Sequence, residues 1–124
     1  MIDRRSVIVG LAGAVVASAA RAQADDLGVV WFVHEQGADG RSWEGVWRRR
    51  GYSPVFDAQW TQNGTGAMLS DVVEIRGRAG NSITIYRYRQ NGSYFGTFSP
   101  SGRHIRGTAS WYTPGSYWSA RIEG

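Results

Sequence analysis

The chain has 124 residues, room for one domain, and it lacks cysteine, which excludes a disulfide framework and any thiolate metal site. Its formal net charge of +4 points towards nucleic acid, but all 14 basic residues are arginine, and beyond residue 24 only eleven of them face nine acidic residues. A balance of +2 without a cluster does not supply the salt-dependent affinity of phosphate binding, and no nucleic-acid partner is expected. The one basic run, Arg48-Arg49-Arg50, is split between two faces if it lies on a strand.

Residues 1–24 read as an export signal and residues 25–124 as the mature domain. Asp3-Arg4-Arg5 is followed by an apolar-rich run from Ser6 to Ala20, too short to span a bilayer as a helix. Small residues then end the segment, and Ala22 and Ala24 fit the two alternate positions that signal peptidase requires, so cleavage is expected between Ala24 and Asp25, with Ala20 and Ala22 as a second option. Asp3-Arg4-Arg5-Ser6-Val7-Ile8 resembles the twin-arginine export signal: a polar residue, two arginines, any residue, then two bulky apolar residues. Val7 stands where that family most often has phenylalanine. The resemblance implies a bacterial protein that folds before transport, rather than one using the general secretory route. The expected location is periplasmic or secreted, with no membrane span after processing.

From Asp25 onward the sequence alternates with period two between turn signals such as Gly51-Tyr52-Ser53-Pro54, Asn63-Gly64 and Asn91-Gly92. Seven such turns predict eight strands near 27–35, 41–50, 54–62, 67–77, 82–90, 93–98, 103–112 and 116–123. Connections this short join neighbours antiparallel, and setting the last strand beside the first removes both sheet edges. The expected fold is all-β, a small antiparallel up-and-down barrel, with a β-sandwich of the same strands as the alternative. Five strands carry a large-small-large face: Trp43-Gly45-Trp47, Phe56-Ala58-Trp60, Tyr94-Gly96-Phe98, Ile105-Gly107-Ala109-Trp111 and Trp118-Ala120-Ile122. Polar residues such as Glu44, Arg48, Asp57 and Arg106 interleave them, so these faces point inward.

The meander with Trp43-x-Gly45-x-Trp47 near its start resembles the lipocalin and avidin class of barrels, which implies a ligand-sized mouth. The segments around Trp43–Arg49, Phe56–Trp60 and Trp118–Ile122 are also similar to a group of small uncharacterised bacterial periplasmic proteins. That likeness implies no particular activity.

Candidate chemistry is sparse. His34 and His104 are the only histidines, and nothing in the spacing joins them to a carboxylate such as Asp57 or Glu74 as a metal site or gives either a serine to activate. Neither a catalytic residue, a metal ligand nor a cofactor is assigned. The fifth strand poses a puzzle, because Ile83 and Ile85 share a face with Arg87 and Arg89. Either Tyr86 and Tyr88 point inward, or a bulge switches faces midway. Arg87 then belongs to a surface arginine column, or else it is a buried cation that needs Asp57, Asp71 or Glu74 and anchors an anion at the barrel mouth.

The function expected is a non-catalytic binding module for a small, partly apolar molecule. Trp43, Trp47, Trp60, Arg87, Tyr94 and Trp118 are the candidate contacts, around space left by a belt of Gly45, Ala58, Gly96, Gly107 and Ala120. The alternatives are an envelope domain that binds a protein or glycan partner through its outer face, and a small hydrolase using His34 or His104.

Overall fold

The computed structural model describes residues 27–124; the proposed signal segment and the Ala24/Asp25 cleavage site lie outside them. Among the described residues eight strands follow one another: β1 (Val30–Gln36), β2 (Ser42–Arg49), β3 (Val55–Gln62), β4 (Met68–Ala79), β5 (Ser82–Arg87), β6 (Gly92–Phe98), β7 (His104–Ala109) and β8 (Tyr117–Glu123). Each pairs antiparallel with the next, and β1 pairs with β8 from Val30↔Glu123 to Gln36↔Tyr117, so the sheet closes into a barrel. That last ladder excludes the sandwich, and among the described residues it leaves no free sheet edge to template association.

The alternating inward faces lie where the pattern places them. Trp31, Trp47, Trp60, Trp118, Tyr94 and Phe56 are fully buried and form one cluster with the aliphatic residues. Trp31 and Trp47 stack at 5.6 Å, Trp47 and Trp118 at 6.2 Å, and Tyr94 meets Trp118 edge-on at 5.2 Å. Such pairs add roughly 0.5–1.5 kcal/mol each beyond the area they bury.

The small residues of the large-small-large faces are partners of these rings. A Cβ on Gly45 would stand 2.8 Å from the Trp60 ring, and one on Gly96 would meet Ile105 at 2.6 Å and Trp118 at 2.8 Å. A Cβ on Gly107 would meet backbone, lying 1.8 Å from the Phe95 carbonyl oxygen. The belt therefore does not enclose a hollow waist as expected, because Trp60 and Trp118 occupy the space beside Gly45 and Gly96.

The two ends differ. Leu27 packs into the core cluster at the end that holds the β2–β3, β4–β5 and β6–β7 connections, and its carbonyl accepts the Trp31 indole N–H at 2.7 Å. Arg49 fastens this end by donating to the carbonyls of Ser53, Tyr52 and Gly28. Phe56, Phe98, Ile83, Ile105 and Ile122 pack most of it with carbon, and the Arg78 guanidinium lies 4.1 Å from the centroid of the Phe98 ring.

The fifth strand resolves differently from both arrangements weighed above. β5 carries no bulge: Ile83, Ile85 and Arg87 stay on the inner face to its end, and Tyr86 and Tyr88 lie outside. The strand stops at Arg87, so Arg89 is exposed and no surface arginine column forms. The register shift lies instead in β4, between Ile75 and Gly77.

Gly107→Ala is expected to destabilise the barrel by more than about 3 kcal/mol or to prevent folding, because its methyl group would strike backbone that cannot yield. Gly77→Ala, whose Cβ would find only ordinary contact at 3.8 Å, should shift the urea unfolding midpoint little.

A candidate binding site at the open barrel end

The opposite end is ringed by the β1–β2, β3–β4, β5–β6 and β7–β8 connections and holds a cavity of about 540 Å³. Trp43, Trp60, Trp111, Tyr112 and Leu69 give it apolar walls, while Glu35 and Arg87 reach it from the inner face. Glu35 and Arg87 occupy the last inward positions of β1 and β5 facing this end, Asp71 follows Leu69 on the inner face of β4, and alternation carries the three charged groups into the barrel.

These charges satisfy one another. Arg87 Nε donates to Asp71 Oδ2 at 3.0 Å, and the two side chains are only 11% and 2% exposed. Asp71 also accepts the backbone N–H groups of Arg89 and Val72. Arg87 Nη1 donates to the Tyr94 hydroxyl at 3.2 Å, and that hydroxyl donates to Glu35 Oε2 at 2.8 Å. The Tyr112 hydroxyl donates to the other oxygen of Glu35. The guanidinium lies 4.0 Å from the centroid of Trp60 and 5.7 Å from that of Trp111. A buried ion pair of this kind fixes geometry more than it adds stability, since desolvation offsets much of the attraction.

Burial, reinforced by the nearby Glu35 carboxylate, pushes the Tyr94 and Tyr112 hydroxyls well above the usual phenol value of 10.0. Burial opposes the Arg87 charge, but Tyr94, Asp71 and Glu35 outweigh it and leave the guanidinium pKa raised.

Of the six candidate contacts, Trp43, Trp60 and Arg87 line the cavity, whereas Trp47, Tyr94 and Trp118 form the packed layer beneath it. Sequence reasoning did not include Glu35, Asp71, Trp111 or Tyr112 among the contacts. Asp71 was legible as a possible partner of Arg87, and Trp111 as the last member of an inward face, but Glu35 and Tyr112 are brought together across 77 residues by barrel closure.

The histidines lie elsewhere. His34 is on the outer wall, where Nδ1 meets Glu44 Oε2 at 2.6 Å and Nε2 faces the Gln36 amide oxygen at 3.3 Å. Its second nitrogen thus meets an amide where a hydrolase would need a serine hydroxyl. His34 and His104 both line an outer groove of about 660 Å³. Among the described residues no three of His, Asp and Glu lie close enough to hold a metal ion, and no helix is long and apolar enough to cross a membrane.

No protein-family model matches the chain, and no curated protein matches it. Solved structures do. A redesigned β-barrel, mFAP1, bound to DFHBI, is 17% identical with a TM-score of 0.56, over 82% of this chain and 97% of that one. EF1p2_mFAP2b bound to DFHBI is 16% identical with a TM-score of 0.56, over 81% of this chain and 96% of that one. Another redesigned β-barrel, mFAP0, also bound to DFHBI, has a TM-score of 0.53 at 16% identity and covers 80% of this chain and 99% of that one.

Two outcomes test the network. Asp71→Asn should cost about 3–5 kcal/mol by leaving a buried guanidinium unpaired, whereas Asp57→Asn, which breaks the exposed pair with Arg50, should leave the unfolding midpoint nearly unchanged. Above the phenol value an unfolded chain releases the Tyr94 and Tyr112 protons while the folded one keeps them, so the contribution of these two groups to stability is level below about pH 10 and falls as pH rises further. Tyr112→Phe should make the alkaline fall in urea midpoint shallower by about one proton.

Proposed function

We propose that the protein is an exported, non-catalytic module that binds a small, partly apolar molecule in the open mouth of its barrel. The observation that carries this reading is the asymmetry of the ends. One is packed mainly with apolar side chains, while the other holds a cavity of about 540 Å³ whose aromatic walls surround a few fixed polar groups. Ligand sites commonly have that composition: apolar lining for affinity and a small number of positioned polar atoms for orientation. The neighbouring barrels, which are bound to DFHBI, support the reading at the level of fold.

Export rests on the leader. The twin-arginine-like Arg4-Arg5, the apolar run and the Ala22/Ala24 end support periplasmic or secreted delivery of an already folded domain. A barrel with a preformed mouth suits that route, since it crosses ready to bind.

The test is a small-molecule screen of the folded protein by thermal shift and native mass spectrometry, using extract of its native host. The expected result is a non-covalent adduct that Trp43→Ala or Trp111→Ala weakens by about tenfold, as loss of a buried aromatic contact does. An empty screen, or an adduct indifferent to both substitutions, overturns the proposal. For export, Arg4→Lys with Arg5→Lys should abolish translocation, and the exported wild type should begin at Asp25.

A further inference from the structure

The charge inventory of the mouth narrows the ligand class. The inference rests on the mouth being the binding site and asks which molecules it prefers. Arg87 read from sequence as an anion anchor, but its Nε is held by Asp71 and its Nη1 by the Tyr94 hydroxyl. One buried carboxylate already cancels its charge. The second, Glu35, is 8% exposed and lines the cavity; each of its oxygens accepts one phenol hydroxyl and keeps a further lone-pair direction. The buried set therefore counts one guanidinium against two carboxylates. At the rim, Arg41 and Asp39 face each other at 3.7 Å and cancel.

The walls complement that excess. Trp43, Trp111 and Tyr112 present aromatic rings to the cavity, and the negative faces of such rings attract cations. The protein shows the preference in its own side chains: a planar cation, the Arg87 guanidinium, already lies against Trp60 and near Trp111. An anion entering here would add a third negative charge to a partly desolvated site, where like charges repel strongly.

We propose that the mouth selects flat organic cations, aromatic amines and amidines above all, over neutral or anionic molecules of the same shape. The ligand ring lies among Trp43, Trp111 and Tyr112, and its charged nitrogen points at Glu35.

Three molecules sharing an indole ring separate charge from shape: tryptamine, tryptophol and indole-3-acetate, cationic, neutral and anionic at pH 7. Isothermal titration of each into the folded protein should give tryptamine about tenfold tighter than tryptophol, with indole-3-acetate weakest, for one cation–aromatic contact beside a carboxylate. Glu35→Gln keeps the size of the side chain and removes the excess charge, so the preference should fall towards unity while a thermal melt reports the fold intact. The wild-type ranking stands as a test even if that variant does not fold. Equal binding of the three, or tightest binding of indole-3-acetate, overturns the cation preference and leaves the mouth as a site. Absence of heat from all three overturns the cation preference too, whereas the broader ligand-binding reading falls only with an empty extract screen.

Discussion

The buried ion pair between Arg87 and Asp71 is the interaction around which the open end of this protein is arranged. Arg87 ends β5 on the inner face, where hydration is mostly lost and no strand residue beside it on β5 can neutralise it. Asp71 comes from the neighbouring strand β4, and Tyr94 links the pair to Glu35 on β1, on the far side of the barrel in strand order. Removing any member leaves a buried polar atom without its partner, so the network sets the positions of four strands at once. It also keeps this end from being filled with carbon, because ionic groups need their hydrogen-bond geometry more than they need density.

The rest of the molecule works by the opposite rule. Below the network the barrel is packed by shape: each indole takes the room that a neighbouring glycine leaves, as Trp60 does over Gly45 and Trp118 over Gly96. Gly107 permits something stricter, the close approach of β7 backbone to β6. Leu27 and Arg49 then close the far end, one by packing into the core and the other by its hydrogen bonds to backbone carbonyls. Two indole N–H groups, of Trp47 and Trp60, meet no hydrogen-bond acceptor among the described residues, a cost accepted within a ring cluster whose faces offer them only weak contacts. Among the described residues, a mainly apolar packing at one end and a polar network at the other leave the mouth of the barrel on the network side.

Much of this was legible in the residues. Turn chemistry and period-two alternation located the strands within a few positions, and the large-small-large faces identified the core, because both are local signals. What the small residues are for was not legible: glycine beside tryptophan reads equally as a hollow or as a socket, and only cross-strand register decides between them. The fate of Arg87 was open for a related reason. Its choice of face depended on where β5 ends, and its partner on the register of β4, which a bulge between Ile75 and Gly77 shifts farther along. Glu35 and Tyr112 meet only because β1 and β8 close the barrel, and no short-range pattern announces that contact.

The central claim is that binding occurs at the network end and leaves the packed end undisturbed. The six tryptophans sample both, and each indole N–H gives its own resonance in a ¹H–¹⁵N correlation spectrum. Titration with tryptamine should move the Trp43, Trp60 and Trp111 signals while that of Trp31, bonded to Leu27 at the far end, stays in place. Movement of Trp31 with the mouth tryptophans unchanged would contradict the account.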